Sequence, residues 1–272
     1  MTLPYNGVWQ QNDKLKLISP SENIWKNCKR CGITMLLDSK NMDYTQINKA
    51  MAALLDCRIE NCLGQRFLGA GMSGKQIRIC GIPGNALGAY LNGADITVYG
   101  NAQDAVGDTM NAGRIVIHGN VGDAAGYAMR GGKIFVKGNA GYRTGIHMKA
   151  YREKHPVLVI GGRAGSFLGE YLAGGTVVVL GLHTDGKPIV SNFPGAGMHG
   201  GKMFIRANCE GVRFPKQVKQ HPATEEDLRE LRPILEEYCT CFDLDADALL
   251  AGPFTVITPD SANPYKQMYM AN

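Results

Sequence analysis

The sequence predicts an all-β solenoid: a single-stranded right-handed parallel β-helix of about seven turns with flanking α-helices. Two observations carry that prediction. A short β-type run recurs seven times, mostly every nineteen residues, and each run follows a glycine-rich stretch. The runs are Ile77 to Gly81, Ile96 to Gly100, Ile115 to Gly119, Ile134 to Gly138, Leu158 to Gly162, Val177 to Gly181 and Met203 to Ala207. Two gaps, of twenty-four and twenty-six residues, mark coils with insertions of five and seven residues.

The glycine stretches repeat as well. Gly122, Gly126, Met129, Gly131 and Gly132 recur as Gly165, Gly169, Leu172, Gly174 and Gly175, and again as Gly84, Gly88, Leu91 and Gly93. Tight corners call for positive φ, which glycine adopts without steric cost, and the Met or Leu fills the interior where corners stack. Thirty-five glycines placed with this regularity argue against low complexity.

In chain order, residues 1–42 read as an irregular lead-in, 43–208 as a capping helix and the coils, and 209–272 as closing helices, a strand and a tail. Ile47, Met51, Leu54 and Leu55 fall at helical spacing in Thr45 to Asp56, with Asp43 or Thr45 as the cap, and this helix should cover the open first end of the stack. Within the strands, Ile96 and Val98, Ile115 and Ile117, Ile134 and Val136, and their later equivalents should point inward as aliphatic ladders. Between them runs an outward row of Arg78, Thr97, Val116, Phe135, Val159, Val178 and Phe204, five of them apolar. Such a row needs a cover. Either the chain's own helices supply it, or Val116, Phe135, Val159, Val178 and Phe204, with Tyr265 and Tyr269 of the tail, form a partner interface. Beyond Cys209, Thr224 and the acids Glu225, Glu226 and Asp227 open a helix with Leu228, Leu231, Ile234 and Leu235 on one face. Pro233 should kink it or end it early. Asp245 to Leu250 reads as a second helix, and Phe254 with Val256 as one more strand.

The overall numbers exclude several classes. Net charge is +5 with positive residues scattered, so there is no basic stripe for nucleic acid. No run of eighteen apolar residues and no secretory leader pattern is present, which predicts a soluble cytoplasmic protein with no membrane partner. Of eight cysteines, Cys28 and Cys31 form a lone C-x-x-C. Cys239 and Cys241 match a second metal-ligand pair poorly, so reduced thiols without a zinc or iron–sulfur site are expected. The histidines have no partner at metal-ligand spacing. His147, His155, Glu170 and His183, around the insertions, are the residues an independent enzyme would use. Gly69-Ala-Gly71 and Gly195-Ala-Gly197 do not make a dinucleotide fingerprint, because here the strand follows the glycines. The expectation is therefore no catalytic, cofactor-binding or metal residues in this chain.

The repeats and their flanks resemble the C-terminal GXGXG β-helix domain of the glutamate synthase large subunit, in its stand-alone form. The likeness rests on Gln46-Ile47-Asn48-Lys49-Ala50, Leu54-Leu55, the repeats, Gly174 to Gly181, Gly195 to Gly201, and the closing segment from Glu230 to Val256. The third subunit of formylmethanofuran dehydrogenase carries the same repeat. The first resemblance implies a non-catalytic structural subunit beside a class II glutaminase and an FMN-dependent synthase, in glutamate biosynthesis. FMN and iron–sulfur clusters would sit on those partners. The second implies a scaffold in a formylmethanofuran dehydrogenase-type complex.

Overall fold

The computed structural model describes residues 16–18 and 35–260 of the 272. Its core is a β-solenoid. Strands β1 (Lys16–Ile18), β2 (Met35–Asp38), β3 (Asp56–Leu63), β4 (Gln76–Ile82), β5 (Asn92–Tyr99), β6 (Ala112–Ile117), β7 (Lys133–Val136), β8 (Val157–Ile160), β9 (Ala173–Val179) and β10 (Gly200–Ile205) follow one another in a single sheet. Each pairs in parallel with the next. The stack has about eight turns, close to the seven expected.

All seven predicted runs lie in β4 to β10, and their register is the one the period demands. Ile77, Ile96, Ile115, Ile134, Leu158, Val177 and Met203 face one another rung by rung. All seven are buried in one continuous core with the corner residues Leu91, Met110, Met129, Met148, Leu172 and Met198. The rungs not anticipated, β2 and β3, extend two inward columns: Cys57 lies in register with Ile77, and Leu37 and Ile59 continue the column of Ile79 in the same core.

The corners are more regular than glycine alone suggests. Each places three left-handed residues at alternate positions, as in Ala105, Gly107 and Thr109 at φ of 56°, 70° and 52°. Their amides pair up and down the stack in turn. Gly107 N–H donates to Leu87 C=O of the coil before, while Ala105 and Thr109 donate to Asp123 and Tyr127 of the coil after. Only the central position excludes a side chain. A Cβ on Gly107 would lie 2.4 Å from Ile134 Cδ1, in the packed core. The flanking positions therefore tolerate non-glycine residues, at a conformational cost that the paired amides offset.

A polar ladder runs beside these corners. Asn101 Oδ1 accepts from Asn120 N–H at 2.8 Å, Asn120 Oδ1 from Asn139 N–H at 2.7 Å, and Asn139 Oδ1 from Arg163 N–H at 2.8 Å.

Helix α1 (Tyr44–Ala52) starts at an Asp43–Gln46 capping box and buries Ile47 and Met51 in the main core. Its Asn48 closes the first corner. Gly69 N–H, which has no earlier corner to donate to, donates to Asn48 Oδ1 at 2.9 Å, and Asn48 Nδ2 donates to Phe67 C=O. The helix thus caps the corner side, while β2 and β1 carry the strand side further, a correction to the simple end-cap expectation. At the other end, β12 (Thr255–Pro259) joins β10 antiparallel and β11 (Val218–Pro222) joins β12. Pro222 brings a residue without an N–H to this last strand, which blunts it against further pairing. Helix α2 (Glu225–Phe242) continues through Pro233 instead of ending there, and α3 (Ala246–Leu250) follows, capped by Asp245.

Candidate partner interface

The coils present two outward faces, one on the strands and one on the corners. On the strand face, Val116, Phe135, Val159, Val178 and Phe204 are buried against Leu231, Leu235, Tyr238 and Phe242 of α2 and Leu249 and Leu250 of α3. At 1.5 Å per residue α2 spans about 27 Å, enough to cross five rungs at about 4.8 Å each. Phe135 meets the Tyr238 ring edge-on at 5.8 Å, and Tyr238 Oη donates to Val136 C=O at 3.2 Å. Gly161 makes room for it, since a Cβ there would lie 2.2 Å from the phenol oxygen. Burial pushes the Tyr238 phenol well above its ordinary pKa.

Charge fixes the helix at both ends. Arg114 and Lys133 pair with Glu237, and Lys202 lies 3.0 Å from Asp227 and also contacts Glu230. Burial alone would raise the Asp227 pKa. The Thr224 N–H and hydroxyl together with Lys202 outweigh it and hold the carboxyl at about 2. The row that doubled as a candidate interface is thus covered by the chain's own helices and offers no exposed side chains to another subunit. Tyr265 and Tyr269 lie outside the described residues.

The corner face is different. Within three residues of the central glycine, aromatic side chains of the later corners project outward and stack along the coils. One column runs Tyr142, Phe167, Phe193, with ring centroids 5.3 and 5.5 Å apart. The other runs Tyr127, His147, Tyr171, at 6.0 and 5.1 Å, the second pair nearly parallel. Tyr127, Tyr142 and Phe193 are 40%, 38% and 45% exposed, an unusual share for aromatics already stacked on neighbours. Sequence reasoning missed this face because it followed the inward Met and Leu. The signal was present in Phe67, Phe167 and Phe193 two residues before a central glycine, and in Tyr90, His147 and Tyr171 two residues after.

The residues set aside for independent catalysis have separate structural tasks. His155 Nε2 contacts Thr176 Oγ1 at 2.9 Å, and Glu170 Oε2 lies 2.9 Å from Arg143 Nε. His147 stacks on Tyr171, and His183 is exposed in the loop after β9. Among the described residues no three His, Cys, Asp or Glu side chains are placed to hold a metal ion. Cys57 and Cys62 are free thiols whose pKa burial raises to about 12 and about 11, so both stay protonated and unreactive. Cys28 and Cys31 lie outside the described residues. No helix among the described residues is long and apolar enough to cross a membrane.

Comparison with known proteins settles the family. The model of the GXGXG motif matches residues 33–258. The chain belongs to the GXGXG family. An uncharacterized protein from Methanocaldococcus jannaschii is 42% identical over 250 residues, covering 86% of this chain and 96% of that protein. A chain in the crystal structure of the formyltransferase/hydrolase complex of Methylorubrum extorquens with methylofuran has a similar fold. Its TM-score is 0.57 at 22% identity, covering 83% of this chain and 91% of that one.

Proposed function

We propose that this GXGXG chain is a non-catalytic structural subunit of a glutamate-synthase-like complex, bracing a class II glutaminase against an FMN-dependent synthase. One observation carries the reading. His147, His155 and Glu170 are spent on stacking and pairing within the coils, while the corner face leaves stacked aromatics open. A scaffold needs such a surface, and an enzyme needs a constellation. On this reading FMN and iron–sulfur clusters belong to the partners. The family's fold supports the scaffold role by analogy.

Removal of the gene from the native host, followed by an assay of glutamine-dependent glutamate formation, tests it. The assay should show loss of coupling, with free ammonia released while glutaminase activity persists. Unchanged coupled turnover without this chain would refute the reading.

The structural likeness to a chain of a formyltransferase/hydrolase complex favours a second reading, a scaffold in a formylmethanofuran dehydrogenase-type assembly. Molybdenum or tungsten in the purified native complex, in place of FMN, would select it.

A further inference from the structure

Two groups of cations on the coils contrast with each other. Along the strand face Arg114, Lys133 and Lys202 are paired with acids of α2. Around the first insertion the corner face has a different arrangement. Arg130, Lys149, Arg152 and Lys154 are all exposed, and among the described residues none has an ion-pair partner.

The backbone brings these four together. Lys149 N–H donates to Met129 C=O at 3.0 Å, which stacks Lys149 on Arg130 one coil away. Lys154 packs over Gly131, where an added Cβ would meet its Cβ at 2.9 Å. The Tyr151–Lys154 bridge folds Arg152 back over the Tyr151 ring at 5.2 Å. Glu153 is the acid within this segment, and Lys154 also lines a hollow with Asp95, Arg114, Lys133 and Glu237, so the cluster is cationic chiefly at Arg130, Lys149 and Arg152. Beside them Arg143 lies over Tyr142 at 5.0 Å and Phe167 at 5.9 Å. Its Nε is taken by Glu170 at 2.9 Å, so Arg143 adds stacked surface beside the four unpaired cations.

We propose that the corner face around Tyr127 to Lys154 docks an acidic, partly apolar surface of a partner subunit. Charge complementarity chooses the occupant, and the aromatic columns supply apolar area at the same place. A polynucleotide would use the same cations, but the patch is too short to track one. On preceding coils the corners carry Asp104, Asp108 and Asp123 instead, so the cations end there and form no continuous track for a phosphate backbone.

This proposal rests on the scaffold reading, and the test separates the two. The complex is purified through a tag on this chain from its native host, treated with nuclease, and cross-linked with a carbodiimide that joins lysine to carboxylate without a spacer. Links from Lys149 or Lys154 to aspartates or glutamates of an identified, stoichiometric subunit support the proposal. So does an at least tenfold drop in that subunit's occupancy in the R130E/K149E/R152E chain, with R213E/K216E unaffected. The reversed positions are exposed, so both variants should fold, and circular dichroism checks that they do. A complex that persists in the triple variant, with lysine links only elsewhere, overturns the docking face and leaves the scaffold standing. A chain that purifies alone overturns both. Release of the bound material by nuclease overturns the protein partner in favour of nucleic acid.

Discussion

The strand face and the corner face belong to the same coils and project side chains outward coil after coil, yet they meet different fates. On the strands the outward row is Val116, Phe135, Val159, Val178 and Phe204, and an eighteen-residue helix of the same chain seals it from water. On the corners the outward columns are Tyr127, His147 and Tyr171 beside Tyr142, Phe167 and Phe193, and half of these six remain near 40% exposed. The gain from burial grows with the apolar area removed from water. The sealed strand row has therefore taken all of its gain, whereas the half-exposed rings of the corners still hold part of theirs for a partner. The first face therefore holds the molecule together, and the second is the one free to hold something else.

Substitutions on the two faces should separate these roles. The largest loss of stability belongs to the sealed strand face. Phe135→Ala removes a fully buried ring and its edge-on contact with Tyr238, and denaturant titration should show a loss of about 3–5 kcal/mol. Next comes the corner backbone. Gly107→Ala forces a Cβ against Ile134 at positive φ and should cost about 2–4 kcal/mol. Ala105→Gly, two residues away at the same kind of φ, should stay within about 1 kcal/mol of the parent. If the two cost the same, the central glycine is not special and the corner account fails.

The charge latch comes third. Because the Asp227 pKa is depressed in the folded chain, its contribution is complete above the unfolded value near 4 and is lost as pH falls through about 2. Asp227→Asn should therefore be less stable by roughly 2 kcal/mol at pH 7. That gap should close between pH 4 and pH 2 in acid titrations followed by circular dichroism. Asn120→Ala, which removes the side-chain acceptor for Asn139 N–H and so breaks one step of the polar ladder, should cost about 1 kcal/mol in thermal melts. The smallest stability effect belongs to the open corner face: Phe193→Ser should change stability by less than about 0.5 kcal/mol. Its effect should appear instead as weakened partner retention on gel filtration.

Much of this was legible in the sequence, for a physical reason. Parallel coils repeat their side-chain environment, so Ile77, Ile96, Ile115 and Ile134 carry the register in the primary structure. The closing helices showed themselves through Thr224 and Asp245 as caps. What escaped notice breaks the repeat. In β3, Cys57, Arg58, Ile59 and Glu60 follow a helix instead of a glycine corner, so the rung has no period to announce it. Pro233 suggested a kink or early stop, but the helix continues because its other contacts on the strand face outweigh one missing N–H. The asparagine ladder repeats at nineteen residues and was visible, but asparagine reads as ordinary turn chemistry until coordinates show its carboxamide bonding the next coil. The corner aromatics were masked by the αL conformation itself, since Phe167 and Tyr171 point outward only because both adopt positive φ.

The central claim is that this chain seals one face for itself and keeps the other for a partner. Amide hydrogen exchange on the free chain and on the native complex addresses it directly. Assembly should slow exchange in the corner segments at residues 123–155 and 166–197 and leave α2 and the strands beneath it unchanged. New protection across residues 225–242, with the corners exchanging as before, would contradict it.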